Sequence, residues 1–201
     1  MKSQLGFHVN QQYCMGCKTC IIACKDKHDN EVGVNFRRVT EYSGGSIEKR
    51  GNGYHPKVWA YWISLACNHC DDPKCVEVCP TGAAAKEEAD GTVAIDAASC
   101  IGCRLCATAC PYGVPQYSAK KHKVGKCDLC ADYRAKAKDP ACVAACPMRI
   151  LEWGGADTLG KKYPKALKGL PGLPDPGITE PNTIYTPHRD ALAEQTGKGV
   201  K

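Results

Sequence analysis

The sequence predicts an α+β fold: two small modules, one nested inside the other, with a β-hairpin inserted and an extended Pro/Gly-rich arm at the C-terminal end. Three observations carry that prediction. Sixteen of the 201 residues are Cys, in four groups of four with none left over. Between the first and second groups, Lys57 to Leu65 is apolar on both faces. After Trp153 the composition turns to Pro and Gly.

The first cysteine group is Cys14, Cys17, Cys20 and Cys24, spaced C-x2-C-x2-C-x3-C. The second is Cys67, Cys70, Cys75 and Cys79, spaced C-x2-C-x4-C-x3-C. Cys100, Cys103, Cys106 and Cys110 repeat the first spacing, and Cys127, Cys130, Cys142 and Cys146 follow C-x2-C-x11-C-x3-C. Three chemistries use such cysteines. A disulfide framework suits a short exported chain, and no signal-peptide h-region follows Met1. Structural zinc takes two separated C-x2-C pairs per ion, not three close Cys with a fourth after three intervening residues. The spacing instead matches the bacterial ferredoxin run for [4Fe–4S] clusters, C-x2-C-x2-C-x3-C-P, with Pro80, Pro111 and Pro147 after three of the four runs.

The run has a physical logic. Three thiolates on one tight loop cap three irons of a cubane, so the loop must curl closely, and Gly16 and Gly102 stand at equivalent places. In two-cluster ferredoxins the fourth Cys ligates the other cluster. Groups two and three flank an insert with a turn signal, Asp90-Gly91, and a short strand pattern, Thr92 to Asp96. They form an inner ferredoxin-like module over 67–117. Groups one and four then pair across it, as an outer module of 1–33 plus 118–153. The crossing rule yields four ligand sets for four [4Fe–4S] clusters: Cys14, Cys17, Cys20 and Cys146; Cys127, Cys130, Cys142 and Cys24; Cys67, Cys70, Cys75 and Cys110; Cys100, Cys103, Cys106 and Cys79.

Residues 34–66 read as the hairpin. Val34 to Tyr42 is one arm and Lys57 to Leu65 the other, with Gly44-Gly45 and Gly51-Asn52-Gly53 marking the turn region. Its aromatics read as core packing, with an interface as the alternative. Lys120, Lys121, His122, Lys123 and Lys126 form a basic run: a solvated loop, a docking patch or charge balance for the cluster at Cys127. Residues 154–201, with Pro164, Pro171, Pro174, Pro176, Pro181 and Pro187, cannot build a core of their own and read as an arm lying on the body or on another subunit.

The formal charge of +6 does not point to nucleic acid. Sixteen thiolates add −16 and four cluster cores return about +8, so the loaded chain carries about −2. No apolar stretch approaches the ~18 residues of a membrane span, so the chain is expected to be soluble by itself, without direct membrane insertion. The six His are scattered and read as structural or exposed. No nucleophile–base set, phosphate-cradling Gly loop or dinucleotide fingerprint is visible, so no catalysis at an organic substrate is expected.

The motifs are similar to those of four-cluster subunits of molybdopterin oxidoreductases. Cys14 to Cys20, Cys24-Lys25-Asp26, Phe36 to Val39, Glu41 to Gly45, Cys67 to Cys70, Cys100 to Arg104 and Cys110 to Tyr117 resemble the electron-transfer B subunits of dimethyl sulfoxide reductases. Polysulfide reductase and formate dehydrogenase B subunits share the cysteine motifs. The resemblance implies an electron-transfer subunit without an active site of its own. It would relay electrons from a membrane-anchor, quinol-oxidising subunit to a molybdopterin catalytic subunit. It implies that the third-motif cluster lies nearest the membrane and the first-motif cluster nearest the molybdenum. Export folded with the catalytic subunit would leave the chain on the periplasmic face of the bacterial cytoplasmic membrane, attached through a partner. A freestanding polyferredoxin shuttle is the rival class. Lys18, Lys25, Arg104 and Lys126 are the candidates for raising a neighbouring cluster's potential.

Overall fold

Each cysteine run becomes a loop feeding a short helix, and the residue types explain the geometry. In the computed structural model, which describes residues 4–195, β1 (Leu5–Asn10) leads into the first loop and α1 (Thr19–Lys27). The long strands β2 (Arg38–Arg50) and β3 (Gly53–Leu65) follow. The second loop carries α2 (Lys74–Glu77), then β4 (Ala84–Lys86) and β5 (Val93–Ile95). The third carries α3 (Leu105–Ala109), then β6 (Gln116–Ser118) and β7 (Lys123–Gly125). Around the fourth run are α4 (Ala131–Arg134) and α5 (Ala141–Ala144), before β8 (Leu151–Gly155), α6 (Ala156–Lys162), β9 (Thr183–Thr186) and α7 (Arg189–Gln195).

The loops come in two matching pairs. In the first and third, Gly16 and Gly102 take φ of +67° and +73°, and Lys18 and Arg104 enter the helices left-handed at +61° and +67°. A Cβ on Gly16 would lie 2.4 Å from Trp62 Nε1, and one on Gly102 2.5 Å from the His122 carbonyl oxygen. Only glycine meets both demands. In the second and fourth loops, His69 and Leu129 are left-handed, and Pro73 and Pro140 precede α2 and α5. A proline there has its φ set for the turn and withholds an N–H that the helix start would leave unpaired. Helix α1 packs on α5, and α2 packs on α3.

A three-stranded sheet, ordered β8-β1-β9, backs the first and fourth loops. Strand β8 runs antiparallel to β1 and β9 runs parallel to it. Phe7, Val9, Leu151 and Tyr185 are buried on it and join a large core with Tyr61, Ile63, Leu129, Ile150 and Leu170. A smaller core gathers Ala83, Val93 and Val124 around Cys75, Cys100 and Cys106.

The hairpin differs from expectation in two respects. Gly44 and Gly45 are not at the turn: β2 continues through them to Arg50, pairing Gly44 with Trp59 and Gly45 with Val58, and the chain reverses at Gly51-Asn52. Glycine is needed at 45 because β3 crowds it; a Cβ would sit 2.0 Å from the Lys57 carbonyl oxygen. Nor is the long apolar run buried throughout. Tyr61 and Ile63 are, but Val58 is 66% exposed, and Ile47 and Tyr54 near the tip are exposed too.

The segment after residue 153 is not simply an extended arm. Within the described residues it supplies β9 and buries Leu159, Leu170, Tyr185 and Ala191. Borrowed partners explain this. Leu167 and Tyr185 exchange backbone hydrogen bonds of 2.8 Å, and the N–H groups of Asp71 and Asp72 donate to the carbonyls of Glu180 and Thr179. A Pro-rich segment lacks a core of its own but can complete another. Residues 196–201 of the expected arm lie outside the described residues.

Candidate iron–sulfur sites

The sixteen cysteines are all free thiols, and the fold gathers them in fours. Cys14, Cys17, Cys20 and Cys146 line one cavity (site I). Cys67, Cys70, Cys75 and Cys110 line another (site III), and Cys79, Cys100, Cys103 and Cys106 a third (site IV). Cys24 and Cys142 are electrostatic neighbours of each other and of both Cys127 and Cys130 (site II). In each group the fourth cysteine arrives from a different loop, because α1–α5 and α2–α3 packing carries Cys24, Cys146, Cys79 and Cys110 across.

The sites form a succession. Cys20 of site I lies near Cys142 of site II, and Cys127 of site II near Cys67 of site III. Cys75 of site III and Cys79 of site IV are joined by the short helix α2. Site II is buried throughout, whereas Cys17 and Cys103 expose the two ends. Around those ends stand exposed apolar side chains: Tyr13, Met15 and Ile22 beside site I, Ile101 and Leu105 beside site IV.

The surroundings fit a buried, sulfur-rich anion. The backbone N–H groups of His69 and Leu129 each donate to a sulfur, Cys67 and Cys127, at 3.4 Å, and Ala84 N–H donates to Cys79 Sγ at 3.3 Å. Burial pushes the Cys24 and Cys75 thiols up to about 12 and those of Cys70 and Cys130 to about 11. Metal binding must therefore drive off their protons. Cys67 is the reverse: burial opposes ionisation, but His69 and Lys126 outweigh it and bring the thiol down to about 5.

Of the four cations singled out in the sequence, one is placed to act on sulfur. Lys126 is buried, with Nζ 3.2 Å from Cys67 Sγ and donating to the carbonyls of Cys127 (3.0 Å) and Val93. Lys25 is spent on the carbonyls of Glu31 and Val34, Arg104 lies over the Tyr117 ring, and Lys18 is exposed. Lys120 and Lys121 of the basic run are exposed. His69 is fully buried, its Nδ1 accepting from Val93 N–H at 3.0 Å.

Arg37 was missed. It is 1% exposed, with its guanidinium over the Phe7 ring and Nη1 donating to Ser64 Oγ at 3.1 Å. That hydroxyl is 3.6 Å from Cys20 Sγ. Burial opposes its charge, and Cys142, Cys20, Cys127 and Cys24, as thiolates, favour it more strongly. Nothing in Phe36-Arg37-Arg38 distinguishes the buried arginine from the half-buried one.

Cysteine quartets in succession, donor N–H groups and buried cations define an iron–sulfur electron-transfer protein. The family descriptions agree: residues 58–156 match a 4Fe-4S dicluster domain and residues 11–31 a 4Fe-4S binding domain. The sequence is 46% identical over 191 residues to the B subunit of the anaerobic dimethyl sulfoxide reductase of Escherichia coli strain K12, covering 95% of this protein and 92% of that one. It is 46% identical over 189 residues to the corresponding B subunit of Haemophilus influenzae (94% and 91% covered), and 32% identical over 211 residues to the sulfite dehydrogenase B subunit of Allochromatium vinosum (93% and 84%). The protein belongs to the family of anaerobic dimethyl sulfoxide reductase B subunits, the iron–sulfur electron-transfer subunits of reductase complexes.

Proposed function

We propose that the protein holds four [4Fe–4S] clusters at sites I to IV and relays electrons along them between a membrane-anchored quinol-oxidising subunit and a molybdopterin catalytic subunit. The clusters supply one-electron chemistry; the polypeptide supplies spacing, burial and charge. The observation that supports this reading is a succession of four cysteine quartets with exposed apolar side chains at its two ends and a buried middle. A relay needs contact with a donor and an acceptor and shelter from water between them.

The finer reading is two nested modules, 67–117 within an outer module of 1–33 plus 118–153, with the 34–66 hairpin inserted. The segment beyond 154 completes the outer module. The relatives' names favour dimethyl sulfoxide as terminal acceptor. We further propose that the complex is attached to the bacterial cytoplasmic membrane, on its periplasmic face. No helix among the described residues is long and apolar enough to cross a membrane, so attachment would run through a partner.

Iron analysis and paired variants test the ligand sets. Cys14→Ser and Cys146→Ser should alter the same electron paramagnetic resonance signal, and Cys24→Ser the signal altered by Cys142→Ser. If Cys24→Ser instead matches Cys14→Ser, the crossing is wrong. Fewer than about twelve irons per polypeptide would remove the four-cluster reading.

A further inference from the structure

Among the described residues two cations lie in the interior, and each stands between consecutive sites. Arg37 faces Cys20 of site I and Cys24, Cys127 and Cys142 of site II. Lys126 faces Cys67 and Cys75 of site III and Cys127 of site II. Neither has a carboxylate partner among the described contacts. Arg37 Nη1 is met only by a hydroxyl, and its Nε and Nη2 have no hydrogen-bond partner although buried. Lys126 Nζ is met by two carbonyls and a sulfur. A lone buried charge is strongly destabilising unless an opposite charge answers it. The opposite charge available to both is thiolate sulfur. Near site IV the cations are not buried: Arg104 is exposed and lies on Tyr117, and Lys123 is half-buried and donates to the Cys100 carbonyl.

We propose that Arg37 and Lys126 are shared counter-charges, Arg37 serving the clusters of sites I and II together and Lys126 those of sites II and III. The inference rests on the four-cluster reading. Reducing a cluster adds one electron and hence one negative charge. A fixed cation nearby stabilises the reduced form and raises the potential of every cluster it faces. Site II, facing both cations, receives the largest upward offset, and site IV receives none from a buried cation. The arrangement offsets, at the buried centre of the relay, part of the penalty that burial places on the more negative reduced cluster.

The test is a redox titration of the assembled complex, followed by electron paramagnetic resonance, with signals assigned through one Cys→Ser variant per site. Arg37→Met should lower the potentials of sites I and II, and Lys126→Met those of sites II and III. Each shift should be at least tenfold in the reduction equilibrium, about 59 mV for a one-electron couple. The double variant should move site II most and leave site IV in place. Arg37→Lys and Lys126→Arg should restore most of each shift, which filling space alone would not do. A full iron complement with unmoved potentials, a shift confined to one site, or a site IV shift equal to that of site II overturns the proposal. If Arg37→Met loses iron, Lys126→Met decides by the same criteria. A wild-type complex short of iron would count against the four-cluster reading instead.

Discussion

The two helix pairs, α1 with α5 and α2 with α3, present cysteines in nearly the same way but stand in different surroundings. The α1–α5 pair is backed by the β8-β1-β9 sheet and the base of the β2–β3 hairpin, with Phe7, Tyr61, Ile63, Leu129 and Tyr185 buried together. The α2–α3 pair has only a small core of its own, with Val93, Val124 and Ala83, and two-stranded hairpins beside it, while Tyr112 and Val114 join its site III to the larger core. The same motif can therefore be held by protein packing or, where large apolar residues are scarce, by the metal it binds. Structural metal sites contribute folding free energy directly.

The two halves should differ most when the iron is removed. Chelation should strip amide-exchange protection from residues 75–125 well before β1, β8 and the hairpin base lose theirs. Simultaneous loss would mean that both halves depend on metal equally. A smaller effect is expected from the cores. Phe7→Ala should destabilise the sheet side by about 3–5 kcal/mol, with or without iron, whereas Val124→Ala should cost about 1–3 kcal/mol. Denaturant titration of loaded and stripped protein checks both figures. The smallest effect is acid-driven. His8 stacks on Tyr163 at 3.5 Å and bonds Thr186 Oγ1 at 2.8 Å. Burial lowers its pKa below 6.5, with Glu152 opposing. A depressed pKa means that its contribution is present above pH 6.5 and is lost as pH falls through the folded value. His8→Phe should flatten the acid limb of a stability–pH curve; an unchanged limb would assign it elsewhere.

What was legible in the sequence was local. Four cysteine runs can be read because each loop is short and its turn chemistry sits beside its cysteines. The helices of the second and fourth runs had a readable signal that spacing alone passed over: Asp72-Pro73-Lys74-Cys75-Val76 echoes Asp139-Pro140-Ala141-Cys142-Val143. What was not legible depends on distant partners. Strand β9 exists because β1, some 175 residues earlier, offers it an edge; its Pro-rich neighbourhood denied it a core of its own but did not say which surface it would lie on. Gly44 and Gly45 carried a turn signal, but β3 continues opposite them. Arg37 was hidden for a related reason. A buried cation is recognised by the anions around it, and those come from separate cysteine runs.

The crossing of the fourth cysteines sets a timetable for biosynthesis. With the proposed ligand sets, site III is complete once Cys110 has emerged, 43 residues after Cys67 (110 − 67). Site I must wait 132 residues between Cys14 and Cys146 (146 − 14). At roughly 5–20 residues per second, three thiols of the nascent polypeptide stand without their fourth partner for about 7–26 s. With those sets site IV, complete at Cys106, closes just before site III at Cys110, and site I, which holds the first cysteine to be made, closes last at Cys146.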